Sequence, residues 1–203
     1  MKSEYIKEGS EVIVLKKQDL TKPIGYVNPM DKIKYWDRDY INEKIAEVTN
    51  LKHKMLLQFM WMTGCRVSEA INVQKQHLDL KNHIVTIRWL KNRKYSYRNI
   101  PLHPKLRDVL EIFTAPMLAE TIIFKMSRQR AWMIVKKNMD GHPHQLRHSF
   151  AVNWLKCEGD IVILSKVLGH SNINITMEYL QIVPADQGKE MLKVKFDSFG
   201  GEE

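Results

Sequence analysis

The sequence predicts an α+β domain, mainly α, in which helices surround one small antiparallel β-sheet or hairpin. Three observations predict it. Apolar residues recur at helical spacing along most of the chain, the period drops to two between Ile84 and His103, and Gly, Pro and capping residues punctuate the helical stretches.

Residues 1–30 carry the apolar run Val12-Ile13-Val14-Leu15 and then Pro23, Gly25 and Pro29, which reads as a strand or short arm followed by a loop. From Asp37 to Val48, Tyr40, Ile41, Ile45 and Val48 share one helical face. A longer helix runs from Leu51 to Met62 and stops at Gly64, and Val67 to Val73 forms the next short helix. Ile84, Thr86 and Arg88 then alternate with Val85, Ile87 and Trp89. Ile100 and Leu102 belong to a returning strand, and Lys91-Asn92-Arg93-Lys94 makes the tip of the hairpin basic. Pro104 opens a helix carrying Leu106, Val109, Leu110 and Phe113, because proline is tolerated in a first turn. Thr121 to Phe124 is a candidate third strand, and Ser127 caps a helix through Asn138. Gln145 to Lys156 is helical, with Leu146, Phe150, Trp154 and Leu155 toward the core, and stops at Gly159. Asp160 caps the helix that ends near Leu168-Gly169, and a last helix carries Tyr179. Beyond Pro184 lies a short amphipathic piece with Met191, Leu192, Val194 and Phe196. The expected organisation is an arm or linker over 1–30, one domain over 31–185 and a tail over 186–203.

Composition narrows the class of partner. With 203 residues and 44% apolar content the chain can bury a substantial core. No apolar run approaches the roughly 18 residues a membrane span needs. The two cysteines, Cys65 and Cys157, are too few for a disulfide framework; they suit a reducing cytoplasm and read as buried small hydrophobes. The net charge of +9 is unevenly spread: from Lys81 to Arg107 there are eight Lys or Arg and no acid, and from Lys125 to Lys137 five more. Like charges so clustered repel one another until an anion neutralises them, and a phosphate backbone does so with release of counterions. Trp89, Tyr95, Tyr97 and Trp132 are interleaved with these runs, which favours nucleic acid over a merely solvated basic face. Arg88, Arg93, Lys94 and Arg98 in the first run, with Arg128 and Arg130 in the second, are the candidate backbone contacts.

The residues that carry chemistry lie mainly between His144 and Tyr179. His144-Gln145-Leu146-Arg147-His148 is followed by Leu168-Gly169-His170 and then Tyr179, and a second arginine stands upstream in Thr63-Gly64-Cys65-Arg66-Val67-Ser68-Glu69. Attack on a phosphodiester adds negative charge to the equatorial oxygens, so such a site needs fixed cations, and the planar fork of arginine matches phosphate geometry. His144 and Arg147, three apart at a helix start, share a face. Nine positions separate His170 from Tyr179, half a turn out of phase on an unbroken helix, so the two converge only if the helix breaks between them. Gly169, Ser171, Asn172 and Asn174 supply the break signals. Tyr179 is then the candidate nucleophile, with Arg66, Arg147 and His170 on the phosphate, His144 assisting proton transfer, and Lys91 protonating the leaving oxygen. Lys94 rivals Lys91 for that role. The arginines supply the charge a metal would, so neither metal nor cofactor is expected. His144 and His148 with His142 or Cys157 form an alternative zinc set, but no Cys-x-x-Cys or His-Glu-x-x-His spacing supports it.

The three boxes, in this order, resemble the catalytic domain of the tyrosine recombinases, the phage integrase family. Residues 63–69 match its Thr-Gly-x-Arg-x-Ser-Glu box, residues 144–148 its His-x-Leu-Arg-His box, and Leu168-Gly169-His170 with Tyr179 the third, over residues 35 to 185 in all. The resemblance implies a site-specific recombinase or integrase in which Tyr179 forms a transient 3′-phosphotyrosyl bond to double-stranded DNA and frees a 5′-hydroxyl. Arg66, Arg147, His144, His170 and Lys91 take the roles above, while Glu69 and His148 fit the boxes as structural or supporting residues. It further implies a dimer or tetramer on DNA, a location in the cytoplasm at the nucleoid, and an apolar tail that docks on a neighbouring copy. Relatives carry a helical core-binding domain ahead of the catalytic one, and few residues precede position 35 here. The expectation is therefore an excised catalytic domain, a short integrase served by an accessory domain or protein, or a decayed relic. A type IB topoisomerase-like nicking and closing activity, or a DNA-binding remnant, is the alternative.

Overall fold

A computed structural model of the protein describes residues 33–91 and 94–183, together with the backbone of Lys7–Glu8 (β1) and Glu11–Val12 (β2). Those two short strands pair antiparallel, Lys7 opposite Val12. The expected amphipathic tail at Met191–Phe196, the rest of the arm, Arg93, and the side chains of Lys91 and Lys94 lie outside the described residues.

Helix α1 (Arg38–Glu47) buries Ile41 and Ile45 of its predicted face, and helix α2 (Leu51–Thr63) runs over the predicted span. The Asn50 side chain accepts from the His53 amide to start α2, and Gly64 ends it in the left-handed conformation, φ 62° and ψ 13°. Helix α3 (Val67–Ala70) is a single turn, shorter than the expected Val67 to Val73. The hairpin is strand β4 (Ile84–Lys91) against strand β5 (Lys94–Pro101), registered from Ile84 opposite Pro101 to Lys91 opposite Lys94. Its third strand is β3 (Leu78–Asp79), in the order β3-β4-β5. The candidate strand Thr121–Phe124 makes just one isolated bridge, Ile122 to Gln74. Its apolar residues are there for burial, since Ile123 and Phe124 are core side chains, and periodicity alone does not separate such a run from a strand.

Helix α4 (Pro104–Thr114), helix α5 (Arg128–Met139) capped by Ser127, helix α6 (Pro143–Lys156) and helix α7 (Ile161–Leu168) capped by Asp160 come next. A one-turn helix α8 (Asn174–Met177) then leads into a 3-10 turn at Glu178–Gln181. The predicted break between His170 and Tyr179 is present. Among the described residues no helix is long and apolar enough to cross a membrane.

The core has two parts. The larger is built on Leu56, Leu57, Phe59 and Met60 of α2, Val85 and Ile87 of β4, Ile100 of β5, and Leu106 and Leu110 of α4. The smaller gathers Ile33, Ala151, Val152, Leu164 and Leu168 around Tyr179. Helix α6 joins them, since Leu146 belongs to the first and Ala151 and Val152 to the second. Cys65 is buried, and burial pushes its thiol up to about 12, but Cys157 is exposed, against the expectation for both. Cys157 follows the last residue of α6, where the chain turns out into solvent.

Gly64 is where the two boxes meet sterically. A Cβ there would stand 2.4 Å from the Phe150 ring of α6, besides being forced to positive φ. Left-handed backbone costs a non-glycine residue about 1–2 kcal/mol, and overpacking adds about 1–3 kcal/mol. Gly64→Ala is therefore expected to lower stability by at least about 2 kcal/mol, read as the shift of a urea unfolding midpoint.

Candidate active site

Three chain breaks bring the boxes together. After Gly64 the backbone extends through Cys65 and Arg66 (φ −72°, ψ 152°), which stands at the N-terminus of α3 with its side chain 38% exposed. Arg147 reaches from α6 between the ends of two other helices: its Nη1 donates to the Gly64 carbonyl at 2.9 Å and its Nη2 to the Leu168 carbonyl at 2.7 Å. Both acceptors sit at helix C-termini, where carbonyls lack helical partners and the helix dipole favours a cation. Burial, followed by the like charge of Arg66, pulls the Arg147 guanidinium down to about 10, so it remains a cation at neutral pH. Gly169 ends α7 in the left-handed conformation, φ 69°, and delivers His170 to the same place.

Glu69 and Arg98 hold this arrangement from beneath. The buried Glu69 carboxylate accepts from the Arg66 amide at 2.7 Å and from Arg66 Nη1 at 3.2 Å. Arg98 grips it with both prongs, at 3.0 and 2.8 Å, and its Nε donates to the Val167 carbonyl at 2.8 Å. Burial pushes Glu69 upward, but the hydrogen bonds and charge of Arg98, with the amide and charge of Arg66, outweigh it and hold the carboxyl below its usual range. Arg98 also lies over the Trp89 ring, its Cζ 5.1 Å from the centroid. One guanidinium thus ties the hairpin to α3 and to the end of α7.

The histidines and the tyrosine form a row. His148 Nδ1 is 2.8 Å from Tyr179 Oη, and His170 Nδ1 is 2.8 Å from Thr176 Oγ1. The His144 ring centroid lies 6.3 Å from that of His148, and His142 lies 6.4 Å from His144. Burial, then surrounding positive charge, holds both half-buried imidazoles down to about 4, with Arg147 and Arg66 leading for His170, and His144 and Arg147 for His148. Burial likewise lowers the exposed His144 from the ordinary range, with Arg147 next. Burial raises the Tyr179 phenol, and Arg147 and Arg66 oppose that rise. Both His148 and His170 bind protons less readily folded than unfolded, so stability is full above their ordinary value of 6.5 and is lost as pH falls toward about 4. Thermal midpoints measured from pH 7 to pH 4 are expected to fall across that window, with a shallower fall in His170→Gln.

Not every expected residue reaches this centre. Arg66, Glu69, Arg88, Arg98, Lys166 and His170 line one cleft of about 790 Å³ beside the row. Arg88 is exposed on its wall, with its Cζ 4.6 Å from the Tyr95 ring centroid. Arg98, expected as a DNA contact, is turned inward, with a side chain just 8% exposed and its donors taken by Glu69 and Val167. Arg128 and Arg130 are exposed in the first turn of α5; Arg128 acts electrostatically on His144, while Arg130 lines a separate cleft beside His53. Among the described residues no group of three His, Cys, Asp or Glu is placed to hold a metal ion.

Three contributors were not legible as such. His148 was readable as a box residue but not as the partner of Tyr179, because no spacing rule spans a separation of 31 positions. Thr176 carried no sign of its bond to His170 beyond lying in the segment between His170 and Tyr179. The pairing of Arg98 with Glu69 is long-range, and its basic neighbours made it look like surface charge.

Comparison with known proteins gives the family and the fold. The sequence model of the phage integrase family matches residues 37–185. The chain is 32% identical to the tyrosine recombinase XerD of Bifidobacterium longum, over 66% of this chain and 51% of that protein. It is 28% identical to the tyrosine recombinase XerA of Pyrococcus horikoshii, over 77% and 60%. The chain therefore spans a little over half the length of these relatives. In structure it resembles the catalytic domain of bacteriophage HP1 integrase, with a TM-score of 0.64 and 21% identity over 79% of this chain and 95% of that one. It also resembles XerH recombinase bound to its difH substrate before cleavage, with a TM-score of 0.62 and 19% identity over 79% and 54%. At these identities the structural likeness speaks to the fold.

Proposed function

The chain belongs to the phage integrase family, and from that premise we propose that residues 31–185 form a catalytic domain that cuts and rejoins double-stranded DNA at specific sites through a covalent 3′-phosphotyrosyl bond to Tyr179. The observation that carries this reading is the convergence, from three separate chain segments, of Arg66, of the doubly anchored Arg147 beside it and of His170, with Tyr179 held to the Arg147 helix through His148.

Each side chain has a task that its surroundings support. Arg147 spends two donors on carbonyls that lock its plane and keeps others for a phosphate oxygen. Arg66, held by Glu69 yet partly exposed, reaches the same anion from the cleft. His170 has Nδ1 engaged by Thr176, which orients the ring and leaves Nε2 for the phosphate. Lys91, opposite Lys94 at the end of the hairpin, is assigned the proton for the departing 5′ oxygen. His144, exposed beside His148, exchanges protons with solvent. Arg88 and Arg128 contact the backbone beside the cleft. The arginines provide the positive charge that a metal ion supplies elsewhere. Tyr179 is just 3% exposed in the free protein, so cleavage requires the site to open enough to admit the scissile phosphate while the phenol stays within reach of His148.

The same reading includes assembly as a dimer or tetramer on DNA, help from a core-binding domain or accessory protein, and a place at the nucleoid. The test incubates the protein with a pool of nicked duplexes in EDTA and looks for a protein–DNA band that survives SDS. The band is expected, and its absence overturns the reading. Relaxation of supercoiled plasmid without any preferred site would instead mark a nicking and closing enzyme.

A further inference from the structure

We propose that His148, rather than His144, is the group that takes the phenolic proton from Tyr179 as the tyrosine attacks phosphorus, and returns it when the strand is resealed. The proposal rests on the reading of Tyr179 as nucleophile and assigns the missing proton acceptor of that reaction.

The geometry carries it. His148 Nδ1 lies 2.8 Å from Tyr179 Oη, within reach of the proton that must leave. His144 is exposed, and among the described residues the hydrogen-bond partner of the phenol is His148. The His148 ring has its hydrogen on Nε2 when Nδ1 accepts from the phenol. The Oη–H bond then breaks toward Nδ1, the phenolate electron pair forms the bond to phosphorus, and the bond from phosphorus to the 5′ oxygen breaks. That oxygen takes the proton assigned above to Lys91. On resealing, the 5′-hydroxyl gives its proton to the deprotonated Lys91 amine as its oxygen bonds to phosphorus, the bond from phosphorus to Tyr179 breaks, and the imidazolium returns its proton to the phenolate.

The surroundings make the acceptor dependent on substrate. His148 is faced by His144 and Arg147 of its own helix, by His142 just before it, by His170 after α7, and by Tyr179 of the 3-10 turn. Burial first, and then the charges of His144 and Arg147, keep the ring neutral and a weak base in the free protein. A bound phosphodiester brings one negative charge beside Arg147, which offsets that repulsion and stabilises the imidazolium. The free protein thus holds a protonated, unreactive phenol, and the anion that is to be attacked prepares its own nucleophile. His144, the next ring toward solvent, is placed to refill or drain the proton between cycles.

The test measures single-turnover adduct formation on the pool of nicked duplexes by wild type, His148→Ala and His148→Gln, with gel retention and thermal unfolding as checks on binding and fold. His148→Ala is expected to slow adduct formation by roughly a hundred- to a thousand-fold with DNA retention kept, as for loss of a general base. Added imidazole is expected to restore part of that loss. The wild-type rate is expected to fall at acid pH, and that acid limb is expected to disappear in both variants. If His148→Ala unfolds, His148→Gln, close to it in volume, carries the same comparison. An unchanged rate in a folded variant overturns the proposal, and so does a slower rate that keeps the acid limb and ignores imidazole, which marks a packing role. A wild type that forms no adduct overturns the cleavage reading and this proposal with it, and is told apart because no variant is then needed to see the loss.

Discussion

Tyr179→Phe is expected to form no covalent adduct with DNA while still retaining duplexes in a gel. The ring is packed among Ile33, Ala151, Val152, Leu164 and Leu168, and phenylalanine keeps every one of those contacts. The hydroxyl is the part that is lost, and its loss removes the atom that would bond to phosphorus. The structural cost is one hydrogen bond to a half-buried imidazole, about 0.5–1.5 kcal/mol, too little to unfold a domain of this size. Unfolding midpoint and gel retention should therefore stay close to wild type while the SDS-resistant band disappears. A band that persists would move the nucleophile to another residue and remove the basis of the proposed function.

The second large effect is expected at Arg147. Arg147→Lys keeps the charge but loses the planar fork, and a single ammonium cannot span the Gly64 and Leu168 carbonyls while also meeting a phosphate. Hydrogen bonds to charged groups contribute about 1.5–3 kcal/mol each, so the melting temperature should fall clearly. Removal of one preorganised donor from developing charge typically slows a reaction roughly a hundred- to a thousand-fold, so adduct formation should drop by at least that factor. Arg66→Lys gives the contrast. That side chain makes one 3.2 Å ion pair with Glu69 and is partly exposed, so activity should fall with little change in stability. Equal stability losses for the two variants would show that the twin carbonyl anchors of Arg147 do not matter to the fold.

Both effects depend on where the helices stop, and that was readable. Gly64 and Gly169 were visible as helix ends, and both adopt the left-handed backbone that glycine tolerates without cost. The hairpin between Ile84 and Pro101 followed from its period of two, because Val85, Ile87 and Ile100 had to face one core. Thr121–Phe124 misled because a short apolar run looks the same whether it pairs as a strand or plugs a core. Arg98 misled because a guanidinium among basic neighbours looks like surface charge until its carboxylate partner, 29 positions away, is known.

The sequence by itself determined most of the elements, the breaks between them and which side chains have the chemistry to meet a phosphodiester, since periodicity, caps and side-chain chemistry are local properties. Tertiary structure decided which of those residues touch. It turned Arg98 inward onto Glu69, set Arg147 across two helix ends, fixed His170 through Thr176, and placed His148 rather than His144 against Tyr179. The physical reason is that hydrogen bonds and charge pairs act over a few ångströms in space, and the packing of α6 between the two parts of the core is what brings residues far apart in the chain within that range.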